Sequence, residues 1–203
     1  ASGADDRYIL EDDFDSEFRM SGNPLPTLQS IDATERVIYM NTFTKSLAST
    51  IRISYMVLPL HLVDRFYKEL GFYSCTVPTF EQYTLARFLS DGYFEKHINR
   101  MRNLYRRKRD ALIRTIRAAL PAGAAEISEE EAGLHFLLRV SGTNTDGELV
   151  RSAERRSLRV ACLSAYYANF PGDTHTLVLN YSNIPEERLA PAAEKLAETL
   201  LNP

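Results

Sequence analysis

The sequence predicts an α/β fold followed by a smaller α+β unit. Short apolar runs end in polar clusters, amphipathic helical stretches alternate with them, and one long helical segment leads into strands and helices of its own. Tyr8–Leu10 reads as a short buried strand that stops at Glu11, Asp12 and Asp13, and Val37–Met40 as a second. Both deliver polar groups at their C-terminal ends, where open α/β sheets bind ligands. Asn23–Pro26 forbids regular helix and marks a loop. Ile51–Pro59 is rich in β-branched and aromatic residues and predicts a third strand. Leu60–Leu70 is helical up to Gly71, and a further helix follows Pro78 with Phe80, Tyr83, Leu85, Phe88 and Leu89, broken at Gly92.

Tyr93–Leu120 carries the strongest helical periodicity, with Phe94, Ile98, Met101, Tyr105, Leu112 and Ile116 spaced mostly by three or four, and it stops at Pro121. Its other face holds Arg100, Arg102, Arg106, Arg107, Lys108, Arg109, Arg114 and Arg117. That face reads as solvated rather than as a nucleic-acid footprint, because the chain is acidic overall and no aromatic residues interleave there. A strand at Gly133–Val140, a short helix at Asp146–Arg156, apolar runs at Val160–Leu163 and Thr176–Tyr181, and an amphipathic helix over Pro185–Leu201 complete the pattern. The change of pattern at Gly92 divides the chain into residues 1–91 and 92–203, without internal repeats.

A chain of 203 residues, 44% hydrophobic, can bury a sizeable core. Its net charge of -3 argues against a nucleic-acid-binding role for the chain as a whole, since such proteins need excess cations to displace counterions. No apolar run approaches a bilayer span, and no basic-then-apolar leader opens the chain, so neither membrane insertion nor secretion is expected. Cys75 and Cys162 are too few and too far apart for a disulfide framework or zinc site; they fit a reducing, cytoplasmic setting as small buried residues. The absence of an initiating Met and the abrupt entry at Arg7–Asp12 suggest a piece of something longer.

The chemistry centres on Lys45, an amine flanked by hydroxyls at the end of an apolar run. Taken singly, Lys45 reads as a solvated lysine, Asp12 as a cap or surface carboxylate, and Arg52 as a surface charge. Together they match the needs of pyridoxal 5'-phosphate: a lysine to bond the aldehyde, an acid to keep the pyridine nitrogen protonated, and a cation with hydroxyls for the phosphate. Lys45, Asp12, and Arg52 with Thr42 and Thr44 fill those roles.

Glu11-Asp12-Asp13-Phe14-Asp15-Ser16-Glu17-Phe18-Arg19 resembles the signature E-D-D-Y-D-S-E-F-R, and Thr42-Phe43-Thr44-Lys45-Ser46-Leu47 with Arg52 resembles T-F-S-K-x-L followed by an arginine. Both signatures, in this order and at this spacing, characterise MocR-type regulators of the GntR family, whose C-terminal domain is aminotransferase-like. The resemblance implies an incomplete fold type I transferase: a remnant of the large-domain sheet (1–91) and the small C-terminal domain (92–203). It further implies that Lys45 is the Schiff-base lysine, that Asp12 pairs with the pyridine nitrogen, and that Arg52 and Thr42 hold the phosphate.

Phe14 stands where the family usually has a tyrosine that contacts the cofactor ring, a missing hydrogen bond worth roughly 0.5–1.5 kcal/mol. Ala48–Ser54 lacks the proline and glycines common there. Val178 in Val178-Leu179-Asn180-Tyr181 replaces the arginine that anchors substrate carboxylates in many aminotransferases. Arg156, Arg159 and His135 are alternative anchors, although each also reads as a surface or packing residue. Tyr166-Tyr167 resembles a pair near the family's cofactor pocket, and without that resemblance reads as strand packing.

By resemblance, the phosphate-cradling loop, the ring-stacking aromatic and a winged-helix DNA-binding domain lie outside this chain, so the fragment alone should hold the cofactor weakly or not at all. The expected function is a homodimeric regulator that binds an amino-acid or amine effector and controls DNA through that other domain. A free-standing aminotransferase and a dimerisation module with a vestigial pocket are the alternatives.

Overall fold

The computed structural model describes residues 7–22, 25–131, 133–169 and 172–202; Asn23 and Pro24 of the expected loop, and the N-terminal Ala1–Asp6, lie outside them. Two compact units form, one from residues 1–17 and 22–99, the other from residues 18–21 and 100–203. The division falls within the long helix instead of at Gly92. Gly92 does punctuate the chain, since its φ of 71° is a left-handed conformation in which glycine is unstrained.

In the N-terminal unit, β1 (Ile9–Asp12) runs parallel to β2 (Val37–Thr42), and β2 runs antiparallel to β3 (Ser54–Val57). β1 and β2 extend beyond the apolar runs through their polar ends, because ladder bonds need only an extended backbone. The register sets Asp12 opposite Met40 and Thr42 opposite Ser54. β3 is shorter than expected: Ile51 closes a turn onto Ala48, so the chain is extended only from Ser54. Asp32 clasps the entrance to β2 by accepting from Thr34, Arg36 and Val37, and the Thr34 bonds above all bring its pKa down to about 2.

Helices α1 (Phe43–Ser46), α2 (Leu60–Leu70) and α3 (Thr79–Ser90) follow. No residue of α2 or α3 is buried, and Phe72, Tyr73, Phe80 and Tyr83 stand at least 69% exposed. Apolar area of this extent is what a protein ordinarily covers with further chain or with a partner.

The C-terminal unit has the larger core. Its sheet has the order β4 (Ala125–Ser128), β5 (His135–Val140), β7 (Thr176–Asn180), β6 (Ala161–Cys162), all antiparallel. Leu112 and Ile116 of α4 (Tyr93–Ala119), Leu149 of α5 (Asp146–Arg155), and Leu189 and Leu196 of α6 (Glu186–Leu201) are buried with Phe136, Leu138 and Leu177 of the sheet. β4 escapes the sequence reading because Ala-Glu-Ile-Ser is too short and polar to show a period. Residues 18–21 belong to this unit: Phe18 meets Tyr105 edge-on at 5.1 Å, and Met20 is bonded through its backbone to Glu131 and to the Arg106 side chain.

The basic face of α4 is therefore not simply solvated. Arg109 is buried against Asp110 and the carbonyl of Glu130, and Lys108 donates to the carbonyls of Ser182 and Ile184. Three cations of that face, Arg106, Lys108 and Arg109, tie loops to the helix. Tyr166 and Tyr167 are likewise exposed on a 3₁₀ turn rather than packed in a strand.

The two cysteines differ. Cys75 is exposed, contrary to the expectation, whereas Cys162 is buried and burial, reinforced by Asp146, pushes its thiol up to about 12. At neutral pH iodoacetamide should modify Cys75 within minutes and leave Cys162 unreacted until the unit unfolds, as peptide mass mapping would show. Equal labelling of both would contradict this placement. Among the described residues no helix is long and apolar enough to cross a membrane.

Candidate functional site

The site grows from the C-terminal ends of β1 and β2. Thr42 ends β2 in an extended conformation and caps α1, its hydroxyl accepting from the Thr44 amide at 3.2 Å. This cap turns the chain at the C-terminal end of the central strand and sets Lys45 in the single turn of α1. The chain then folds back: Thr44 Oγ1 donates to the Ile51 carbonyl at 2.8 Å, and the Phe43 amide donates to the Ile53 carbonyl at 2.9 Å. The return sets Arg52 Nη1 3.3 Å from Thr44 Oγ1. Two cations seven residues apart are thus gathered onto one turn. None of the described residues from 43 to 56 has a positive φ, so the loop takes this path without the glycines usual in the family.

The acidic motif divides its labour. Glu11 caps the turn that follows it, accepting from the Leu28 and Gln29 amides at 2.7 and 2.9 Å. Asp13 accepts from the Tyr39 hydroxyl at 2.7 Å, and Asn41 donates to that hydroxyl at 3.0 Å. Burial and then the Asp13 bond push the Tyr39 phenol well above its ordinary range, so it stays a donor. Burial also raises Glu17. Asp12 is different: its carboxylate is exposed and has no side-chain partner among the described residues. Of this acidic run, Glu11 holds backbone amides, Asp13 holds the Tyr39 hydroxyl, and Asp12 remains available.

Asp12 and Thr42 line one hollow of 680 Å³ with Met40, Ser54 and Met56, open between β1, β2, β3 and α2. Phe14 is 54% exposed, and the Lys45 ammonium lies 6.0 Å from its ring centroid, at the outer range of a cation–π contact. The ring therefore stands beside the amine although it lacks a hydroxyl. Thr44 spends its proton on Ile51, whereas Thr42 offers its single proton to acceptors at 3.1 and 3.2 Å, both long enough to release it. A free carboxylate, an amine, a guanidinium and a loosely held hydroxyl make a donor set whose chemistry fits a phosphorylated pyridine aldehyde.

Sequence reading did not identify the supporting layer of Tyr39, Asn41, Ser46 and His97. His97 Nε2 donates to the Ser46 carbonyl at 3.0 Å and so pins α1 to α4. Ser46 itself is 2% exposed, and its hydroxyl has no partner among the described residues. An unsatisfied buried hydroxyl costs roughly 1–3 kcal/mol, so Ser46→Ala should stabilise the fold by about 1 kcal/mol and raise Tm by ~2–4 °C. A lower Tm in calorimetry would mean that the hydroxyl is in use.

No protein-family model matches the chain. It is 39% identical over 189 residues to the uncharacterized HTH-type transcriptional regulator YdeL of Bacillus subtilis, covering 93% of the chain and 40% of that relative. It is 33% identical over 196 residues to the probable rhizopine catabolism regulatory protein MocR of Rhizobium meliloti, covering 97% of the chain and 39% of that protein. Among solved structures, the kynurenine aminotransferase of Pyrococcus horikoshii superposes with a TM-score of 0.79 at 28% identity, over 96% of this chain and 48% of that one. The chain spans less than half the length of each of these relatives. By sequence and by fold, the chain belongs with the aminotransferase-like portion of the MocR-type regulators, on a partial fold type I scaffold.

Proposed function

We propose that the chain is the cofactor-holding, effector-sensing part of a cytoplasmic, homodimeric MocR-type regulator. In this reading Lys45 bonds pyridoxal 5'-phosphate, Asp12 holds the proton on the pyridine nitrogen, and Arg52 with Thr42 opposes the phosphate charge. Thr44 acts indirectly, by positioning Arg52, and Phe14 flanks the amine. When bound, the cofactor supplies an aldehyde carbon that an amino acid or amine can take from Lys45. An effector amine competing with Lys45 for that carbon would be the signal by which the rest of the protein alters its engagement of DNA.

The observation that carries this reading is the loop that returns Arg52 to Thr44 beside Lys45, while the Asp12 carboxylate at the neighbouring strand end has no partner among the described residues. The open apolar faces of α2 and α3 support a role inside a larger, dimeric assembly. Binding of full-length protein to its own promoter DNA, with and without the cofactor and a panel of amines, tests the proposal. One or more amines should shift DNA affinity only when the cofactor is present. A response that is the same without the cofactor would defeat the reading.

The likeness to an aminotransferase structure supports a second reading, catalytic turnover. Val178, where a carboxylate-binding arginine is usual, weighs against it. Formation of a keto acid by the full-length protein would decide for it.

A further inference from the structure

The turn that carries Lys45 cannot hold itself. α1 has four residues, closed by the Leu47 amide donating to the Phe43 carbonyl at 2.9 Å, and a helix of that length has no stability of its own in water. The Thr42 cap and the bonds to Ile51 and Ile53 fix its beginning. All of these act at residues 42–44, ahead of Lys45.

Beyond Lys45 the turn leans on the start of α4, within the same N-terminal unit. Phe94 meets Phe43 edge-on at 5.9 Å, and His97 Nε2 lies 3.0 Å from the Ser46 carbonyl. A carbonyl only accepts, so the ring nitrogen facing it carries a hydrogen. Ser46 is 2% exposed, so its carbonyl, deprived of His97, would find little water in exchange and the turn would shift to recover a partner. The bond therefore fixes the residue directly after Lys45 from a side chain 51 positions away. A small displacement of that backbone is carried to the amine, and small displacements of a reacting group are costly.

We propose that His97 is a positioning residue for Lys45: by holding the Ser46 carbonyl, it sets where the Lys45 amine stands. The proposal rests on the reading of Lys45 as the lysine that bonds the cofactor. His97 acts through the backbone and takes no part in bond-making.

Full-length protein with pyridoxal 5'-phosphate tests it in three variants. His97→Ala removes the ring, His97→Phe keeps a ring without the donor, and His97→Gln keeps a donor of similar reach. Equilibrium dialysis reads all the cofactor bound, and borohydride reduction with peptide mapping reads the share fixed on Lys45. That share should fall roughly fivefold or more in His97→Ala and His97→Phe, and return to within about twofold of wild type in His97→Gln. In the cofactor-free proteins the Leu47 amide should exchange its hydrogen faster in His97→Ala and His97→Phe, while the β1 and β2 amides keep their wild-type rates. An unchanged share in His97→Phe, or a His97→Gln variant as impaired as His97→Ala, would overturn the proposal and leave the cofactor reading intact. Faster exchange throughout β1 and β2 would make His97 a general support of the unit and overturn it equally. A wild type that fixes no cofactor on Lys45 would instead defeat the cofactor reading, and this inference with it.

Discussion

Asp146→Ala is expected to destabilise the C-terminal unit by about 3–5 kcal/mol, enough to unfold a marginal domain. Asp146 is 6% exposed and joins three segments at once. Its carboxylate accepts from Ser164 Oγ at 2.5 Å, from Thr174 N and Oγ1 at 3.0 and 2.9 Å, and from His175 N at 2.8 Å. Alanine leaves two amides and two hydroxyls in partly buried surroundings without their acceptor. Asparagine is a sharper control, because one face of its amide sets donors against donors. Burial pushes the Asp146 carboxyl up, but the Ser164, Thr174 and His175 bonds outweigh it and hold the group below its ordinary value. A depressed folded pKa contributes stability that is present above the unfolded pKa and lost as pH falls through the folded one. Urea unfolding should therefore show a smaller gap between wild type and Asp146→Asn in strong acid than at neutral pH. A gap that stays constant would mean that the charge plays no part.

Lys45→Ala in the full-length protein is expected to abolish the long-wavelength absorbance of a lysine-bound cofactor entirely, whereas Arg52→Ala should only weaken binding. The contrast follows from the roles: only Lys45 can form the covalent link, while Arg52 contributes a charge-assisted contact worth roughly 1.5–3 kcal/mol, about 10- to 150-fold in affinity. The 203-residue chain alone should give a weaker band than the full-length protein, because the N-terminal unit buries few apolar residues, Val37, Ile53, Pro59 and Ile98 among those described. An intact band in Lys45→Ala would assign the amine elsewhere.

Most helices were legible in the sequence because their ends carry strong local signals: Gly71 after α2, Pro78 before α3, and Gly92 before α4. Apart from β4, the strands were legible as apolar runs but not in length: Glu11 and Asp12 extend β1, and Asn41 and Thr42 extend β2, through backbone pairing that composition does not report. Lys45, Asp12 and Arg52 stood out because chemistry demands those residue types together. What supports them did not, because the Tyr39–Asp13 bond and the His97–Ser46 bond join residues 26 and 51 positions apart. Phe18 is the clearest lesson: it lies in the acidic signature, yet it is fully buried in the other unit's core.

The most direct measurement is chemical trapping. Full-length protein incubated with pyridoxal 5'-phosphate, reduced with borohydride and digested should carry the added mass on the peptide containing Lys45 and on no other lysine peptide, although Lys68, Lys96, Lys108 and Lys195 are also present. A label spread over those four, or absent from Lys45, would contradict the assignment of this turn as the cofactor site.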